Sequence, residues 1–149
     1  MTTLNGKRLV LEPLYDLDYF LDLADEDNKR LYPRLAVSNL IHQYGAEFWI
    51  ITLDGSKRGV VGYFKFGDIY FMEALKDHSK PATGISYSVE AGQLVIDYLT
   101  TLTPVIYTCA RKSEPAIQVL CKKLGFKQID RPEGFDHGLK EDLYFYRRG

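Results

Sequence analysis

The segment from Ser113 to Phe126 constrains the fold most strongly, because it predicts a helix with a defined beginning and a defined end. Ser113 can accept a hydrogen bond from a first-turn amide, and Pro115 stands where a missing N–H costs little. Gly125 falls where a left-handed C-cap is expected. Four apolar residues follow the i, i+3, i+4, i+7 spacing of one buried stripe: Ile117, Leu120, Cys121 and Leu124.

Strands are predicted on both sides of this helix. The run 104–110 (PVIYTCA) is rich in β-branched and aromatic residues, and the run 127–130 follows the Gly125 cap directly. A strand, a capped helix and a return into another strand form the repeating unit of domains in which helices cover a sheet.

The rest of the chain predicts more elements of the same kinds. The runs 47–53 and 59–66 form a hairpin, because Asp54–Gly55 is a strong two-residue turn signal. Gly62, inside the second strand, predicts a bulge or a close backbone approach. Periodicity predicts further strands over 7–14, 69–75, 82–89 and 143–147, and helices from Asp16 onward and over 37–44 and 93–102.

Composition limits the class of protein. A chain of 149 residues, 46% hydrophobic and 26% charged, fits one globular domain over 1–149. A net charge of −1 gives no support for nucleic-acid binding. No apolar run reaches membrane-spanning length and the N-terminus lacks a signal-like core, so a cytoplasmic protein is expected. Two cysteines, Cys109 and Cys121, are too few for a disulfide framework, and we expect no metal site.

The helix ending and the order of elements resemble those of the GNAT superfamily of acyl-CoA-dependent N-acetyltransferases. The family ending "Y/L-x-K-x-G-F" is matched by Leu120, Cys121, Lys123, Leu124, Gly125 and Phe126. The opening "R-L-x-L-x-P-L" is matched over 8–14 and is followed by an acidic helix. The resemblance covers almost the whole chain. It implies an α/β fold: a twisted, mostly antiparallel sheet with a splayed parallel central pair, expected here to be 82–89 and 104–110, and helices on both faces.

The resemblance also implies an activity, which is transfer of an acetyl group from acetyl-CoA to an amine on a protein, a peptide or a small molecule. Residues 16–27 carry six acidic and no basic side chains. This composition is typical of a solvated helix face, but it also suits a region that attracts a cationic acceptor. The oligomeric state is left open by the sequence.

The cofactor residues are expected beside the splayed pair. In this family a glycine-rich loop before the third helix holds the diphosphate, and here it would lie between Val89 and Leu94, shortened and degenerate, with Glu90 opposing an anion. The predicted cofactor-binding residues are Tyr87, Ser88, Val89, Ala91, Gly92, Gln93 and Cys121. The weak loop leaves an alternative, a GNAT-fold binding protein that does not use acetyl-CoA.

Two residues are predicted to carry the chemistry. Acetyl transfer needs a base that takes a proton from the incoming ammonium and an acid that protonates the departing thiolate. Glu73, on a strand facing the predicted cleft, is the expected base. The family position that often carries a catalytic tyrosine holds Cys121, a weak donor, so Tyr144 on the last strand is the expected acid.

Overall fold

The protein is described by a computed structural model that covers residues 2–15, 17–27, 45–132 and 143–149. The strands in these ranges are β1 Leu4–Asn5, β2 Val10–Pro13, β3 Glu47–Leu53, β4 Ser56–Phe66, β5 Ile69–Lys76, β6 Ile106–Arg111, β7 Lys127–Ile129 and β8 Leu143–Arg148. The helices are α1 Leu17–Asp27, α2 Ile85–Leu99 and α3 Pro115–Lys123. The predicted helix over 37–44 lies outside the described residues.

The strands form one mixed sheet in the order β1-β2-β3-β4-β5-β6-β8-β7. The β5–β6 pair is parallel, and the other neighbouring pairs are antiparallel. The predicted fold class, a mostly antiparallel α/β sheet with one parallel central pair, is confirmed.

The central hairpin forms as predicted. Positive φ angles of 51° at Asp54 and 74° at Gly55 give the turn type that matches strand twist. The register then slips by one residue, because Ile51 pairs with Gly59 and Thr52 with Lys57, which leaves Arg58 as the extra residue of a bulge.

Helices cover both faces of the sheet. One face packs against α2 and α3 around Trp49, Val95, Ile96, Leu99 and Tyr146, all nearly or fully buried. The other face packs against α1 through Phe20, Leu21 and Leu23. Because side chains alternate along a strand, each strand residue belongs to one of these two layers.

The prediction of a strand over 82–89 is wrong, because Ile85–Leu99 forms one continuous helix, α2. The alternation that suggested a strand does not follow burial, since Ile85 is 41% exposed. The buried residues of α2 follow helical spacing instead: Ala91, Gly92, Val95, Ile96 and Leu99. The parallel partner of β6 is therefore β5 rather than 82–89.

The end of α3 is as predicted, but its beginning is not. Gly125 has φ 85°, its N–H donates to the Lys122 carbonyl and the Phe126 N–H donates to the Cys121 carbonyl, which is a Schellman motif. The N-cap position is Glu114 rather than Ser113, and no side chain caps the helix there. Ile117 is 38% exposed, so the predicted buried stripe holds only from the second turn onward.

The turn between β1 and β2 is fastened to α2 by one carboxylate. Glu90 accepts hydrogen bonds from the backbone N–H groups of Arg8 (2.9 Å) and Leu9 (3.1 Å), and it pairs with the Arg8 guanidinium at 2.9 Å. Burial raises the pKa of Glu90, but these hydrogen bonds outweigh it and hold the pKa below its ordinary value of 4.5. Glu90 therefore anchors the turn between β1 and β2, and it is not part of a diphosphate-binding loop.

We expect Glu90→Gln to lower the free energy of unfolding at pH 7 by about 1 kcal/mol, because an ionised acceptor is replaced by a neutral one. A carboxyl whose pKa is lowered by folding stabilises above its unfolded pKa and loses that contribution as the pH falls through its folded pKa. The gap between wild type and variant should therefore be full at pH 7 and close below pH 4.5. Urea denaturation across this range measures it, with the exposed Glu12→Gln as control. A gap that stays constant with pH would contradict the assignment.

Candidate active site

The parallel strands β5 and β6 part after two pairs. Tyr70 pairs with Ile106 and Phe71 with Tyr107, and at the next position the Thr108 hydroxyl donates to the Met72 carbonyl at 3.0 Å. No further β5–β6 pair occurs in the described strands. A central parallel pair does part, but it is β5 and β6 rather than the predicted pair of 82–89 and 104–110. We call the gap between residues 73–76 and 109–111 the cleft.

The exposure pattern agrees with an open cleft. Ala74 lies in a central strand of the sheet and is nevertheless exposed. Backbone N–H and C=O groups at a strand edge need partners, and an extended ligand arm can supply them as an added strand does. The cleft therefore suits a narrow ligand that pairs with backbone.

The loop over residues 77–84 leads from the cleft to the beginning of α2. Gly84, with φ 84°, is the N-cap residue, and no side chain caps the helix or places a negative charge in its first turn. Backbone amides at such an end lack helical partners and carry a partial positive charge, so they favour an anion. Lys80 is exposed within the same loop. These residues fit a phosphate group lying just beyond the cleft.

The residues predicted to bind the cofactor have a different setting from the one expected. Tyr87, Ser88 and Val89 belong to the beginning of α2, and Ala91, Gly92 and Gln93 belong to its interior, so their predicted placement in a strand and a loop is wrong. Backbone groups in the middle of a helix are already bonded within it and cannot pair with a ligand arm.

Two of these residues have evident packing roles. A Cβ atom on Gly92 would lie 2.7 Å from Cδ1 of Leu124, so the glycine allows α2 and α3 to approach closely. Gln93 donates to the Asp97 carboxylate at 2.8 Å along the surface of α2. Gly92, which the resemblance assigns to a diphosphate-binding loop, therefore lies at a helix–helix contact.

Glu73, the predicted base, lies on β5 beside the cleft. It is the first residue of β5 beyond the Met72–Thr108 hydrogen bond, and its Oε1 atom is shielded from solvent. Strand alternation places Glu73 and Cys109 on the sheet face covered by α1. Burial raises the pKa of the Cys109 thiol, and the Glu73 carboxylate raises it further. The negative charge of Glu73, on β5, therefore reaches Cys109, on β6, across the cleft.

Tyr144 and Cys121 lie on the other face. Tyr144 pairs with Ala110, and Lys112 Nζ stands 5.2 Å from the centre of its ring. Cys121 is 5% exposed in the core, and burial raises the pKa of its thiol to about 11. The structure therefore does not bring Tyr144 and Glu73 onto one face of the sheet, and β6 lies between their strands.

Comparison with solved structures identifies the architecture. An acetyltransferase from Agrobacterium tumefaciens superposes with a TM-score of 0.73 at 16% identity, covering 100% of this chain and 95% of that one. RimL, a ribosomal L7/L12 α-N-protein acetyltransferase in complex with coenzyme A, gives 0.70 at 15% identity, covering 99% and 97%. This chain has the GNAT fold. A chimera of spermidine N-acetyltransferase SpeG from Vibrio cholerae and hSSAT gives 0.68 at 13% identity, covering 95% of each chain.

No protein-family model and no curated protein sequence matches the chain. In the described residues, no group of three or more His, Cys, Asp or Glu side chains is arranged to hold a metal ion. The helices of the described ranges are too short or too polar to cross a bilayer.

The loop 77–84 is not among the residues that the sequence predicts for cofactor binding. The sequence predicts a polar loop over 76–81 and a strand over 82–89, so the expected start of the helix, at 93, lies eight residues beyond the observed start at Ile85. The available signal was Gly84. Residues 85–91, which follow Gly84, contain no glycine, and they lead directly into the apolar stripe of the helix.

Proposed function

We propose that this chain is an N-acetyltransferase that moves an acetyl group from acetyl-CoA to an amine. One observation carries the proposal: the cleft between β5 and β6 leads directly to the uncapped N-terminus of α2. A thioester arm with a diphosphate at its far end needs a narrow backbone-lined gap followed by an anion site. The coenzyme A complex of RimL, a protein with the same fold, supports this assignment.

The residues for holding acetyl-CoA follow from this geometry. Backbone groups of residues 73–76 and 109–111 would bind the arm, while Lys80 and the amides that follow Gly84 would bind the diphosphate. Acetyl-CoA supplies an activated acyl group, so the protein has to orient the acceptor, remove its proton and stabilise the departing sulfur.

Glu73 is the proposed base. A carboxylate beside the cleft can take a proton from the ammonium of the acceptor, directly or through one water, so that the nitrogen lone pair becomes available. The carbon–nitrogen bond then forms as the carbon–sulfur bond breaks. Tyr144 remains the proposed donor to the departing thiolate, approaching from the α3 side. Cys121 is a poor substitute because its buried thiol holds its proton far above neutral pH and is a weak hydrogen-bond donor.

The proposed acceptor is a cationic amine on a protein, a peptide or a small molecule, and the proposed location is the cytoplasm. RimL acts on a ribosomal protein and SpeG on spermidine, both through amines. In this chain α1 carries Asp18 and Asp22 within an acidic run without basic residues. A field of one sign attracts an acceptor of the opposite charge.

The alternative, a GNAT-fold binding protein without acetyl-CoA, rested on a degenerate loop over 89–94. Those residues lie inside α2, so that reason does not apply. We expect acetyl-CoA at 100 times its dissociation constant to raise the free energy of unfolding by about 2.7 kcal/mol. Thermal denaturation with and without the ligand measures this. Spermidine and a peptide with a free N-terminus then serve as acceptors in an assay of released thiol. An unchanged melting temperature at millimolar acetyl-CoA would contradict the proposal.

A further inference from the structure

The first half of the loop 77–84 is held by a buried carboxylate. Asp77 is 7% exposed, one of two buried polar residues in the described part of the chain. Its Oδ1 accepts hydrogen bonds from the backbone N–H of Ser79, at 3.0 Å, and from the Ser79 hydroxyl. Its Oδ2 accepts a hydrogen bond from the hydroxyl of Tyr19, on α1, at 2.9 Å. A carboxylate beside an expected anion site is unfavourable unless hydrogen-bond donors stabilise its negative charge. Ser79 and Tyr19 supply those donors to Asp77.

The bulge of β4 holds the same half of the loop from the other side. The Arg58 carbonyl accepts a hydrogen bond from the Asp77 N–H at 3.1 Å, and Arg58 Nη1 donates to the Pro81 carbonyl at 3.3 Å. The Lys80 N–H donates to the Asp77 carbonyl at 3.2 Å. We call Tyr19, Arg58, Asp77 and Ser79 the loop anchor. Asp77, Ser79, Lys80 and Pro81 are thus held through backbone or side chain.

We propose that the loop anchor positions Lys80 and the amides after Gly84 for the diphosphate of acetyl-CoA, which makes Tyr19 a positioning residue that lies outside the loop. This inference rests on the proposed function. Hydrogen bonds hold residues 77–81 to α1 and β4. Among the described residues, no such hydrogen bond involves 82–84, which lead to the uncapped N-terminus of α2. A preorganised site does not have to be ordered when the ligand binds, so it binds more tightly.

The test compares two ligands on three variants. Tyr19→Phe removes one hydroxyl from α1, Ser79→Ala removes one donor from the loop, and Tyr15→Phe makes the same change at a tyrosine that is 79% exposed. NMR titration measures affinities for coenzyme A and for S-acetylpantetheine, which lacks the diphosphate. We expect Tyr19→Phe and Ser79→Ala to bind coenzyme A about tenfold more weakly than wild type and to bind S-acetylpantetheine with wild-type affinity. The control Tyr15→Phe should bind both ligands with wild-type affinity.

The outcomes separate the inference from the proposed function. If wild type binds coenzyme A and Tyr19→Phe binds it equally well, the loop anchor has no positioning role. If the variant loses affinity for both ligands to the same extent, Tyr19 acts on the general fold, and the inference is again wrong. If wild type binds neither ligand, the proposed function fails and the inference fails with it.

Discussion

Replacing Glu73 with glutamine is expected to lower kcat for acetyl transfer by about 10²–10⁴-fold, the usual contribution of a general base. Glutamine keeps the size of the side chain and its position on β5, but it cannot take a proton from the acceptor. The dissociation constant for coenzyme A should stay within about twofold of the wild-type value, because Glu73 acts on the acceptor. A spectrophotometric assay of thiol release gives kcat, and titration gives the affinity.

Two comparisons make this result specific. Glu12→Gln removes an exposed carboxylate from β2 and should leave kcat unchanged. Raising the pH should partly restore the rate of Glu73→Gln, because the acceptor loses its proton to solvent without a base. A variant whose kcat lies within about threefold of wild type would remove Glu73 from the proposed mechanism. Normal activity in the variant would still leave the acetyltransferase proposal standing.

Replacing Gly62 with valine is expected to lower the free energy of unfolding by about 4 kcal/mol or more, which is a large fraction of the stability of an ordinary domain. A Cβ atom at this position would overlap the Glu47 carbonyl oxygen, and it would lie 2.7 Å from the Phe48 Cα. Both are backbone atoms of the neighbouring strand β3, so relief would require the ladder between β3 and β4 to separate. Strand propensity alone predicts the opposite sign, since valine favours strands.

The matched control is Gly67→Ala. Gly67 has φ 60° and no atom within 4 Å of an added Cβ, so only conformational strain remains. We expect a cost of about 1 kcal/mol, set by the left-handed backbone. Urea denaturation followed by circular dichroism measures both variants. A loss at Gly62 no larger than the loss at Gly67 would contradict the role assigned to the close approach of β3 and β4.

Local patterns predicted the parts of the structure that local physics decides. The turn at Asp54–Gly55 and the cap at Gly125 formed as expected, because both depend on a residue that tolerates positive φ. The confirmed fold class followed from the order of these units. The strand that carries the proposed base, Glu73, was predicted from its own composition, although the cleft beside it was expected between 82–89 and 104–110.

Where a sequence pattern fits both a strand and a helix, only packing decided which of the two forms. The alternation over 82–89 fits a strand, but the helical stripe from Ala91 to Leu99 buries more apolar surface against the sheet, and it extends α2 back to Ile85. Because of that single error, the expected anion site was assigned to 89–94, which lies inside α2, rather than to the proposed position at 77–84. It also assigned Gly92 to a ligand, although its space is filled by Leu124.

The sequence by itself determined the hairpin, the C-cap at Gly125 and most of the elements, because turns, caps and hydrophobic periodicity act between residues close in the chain, and its resemblance to the GNAT superfamily implied the fold. Only the tertiary structure decided which strands part to form the cleft and which glycine caps the helix beyond it. It alone brought Tyr19 to Asp77, 58 residues away along the chain. Such contacts depend on how helices and strands pack around a common core, and a single sequence carries no local signal for that arrangement.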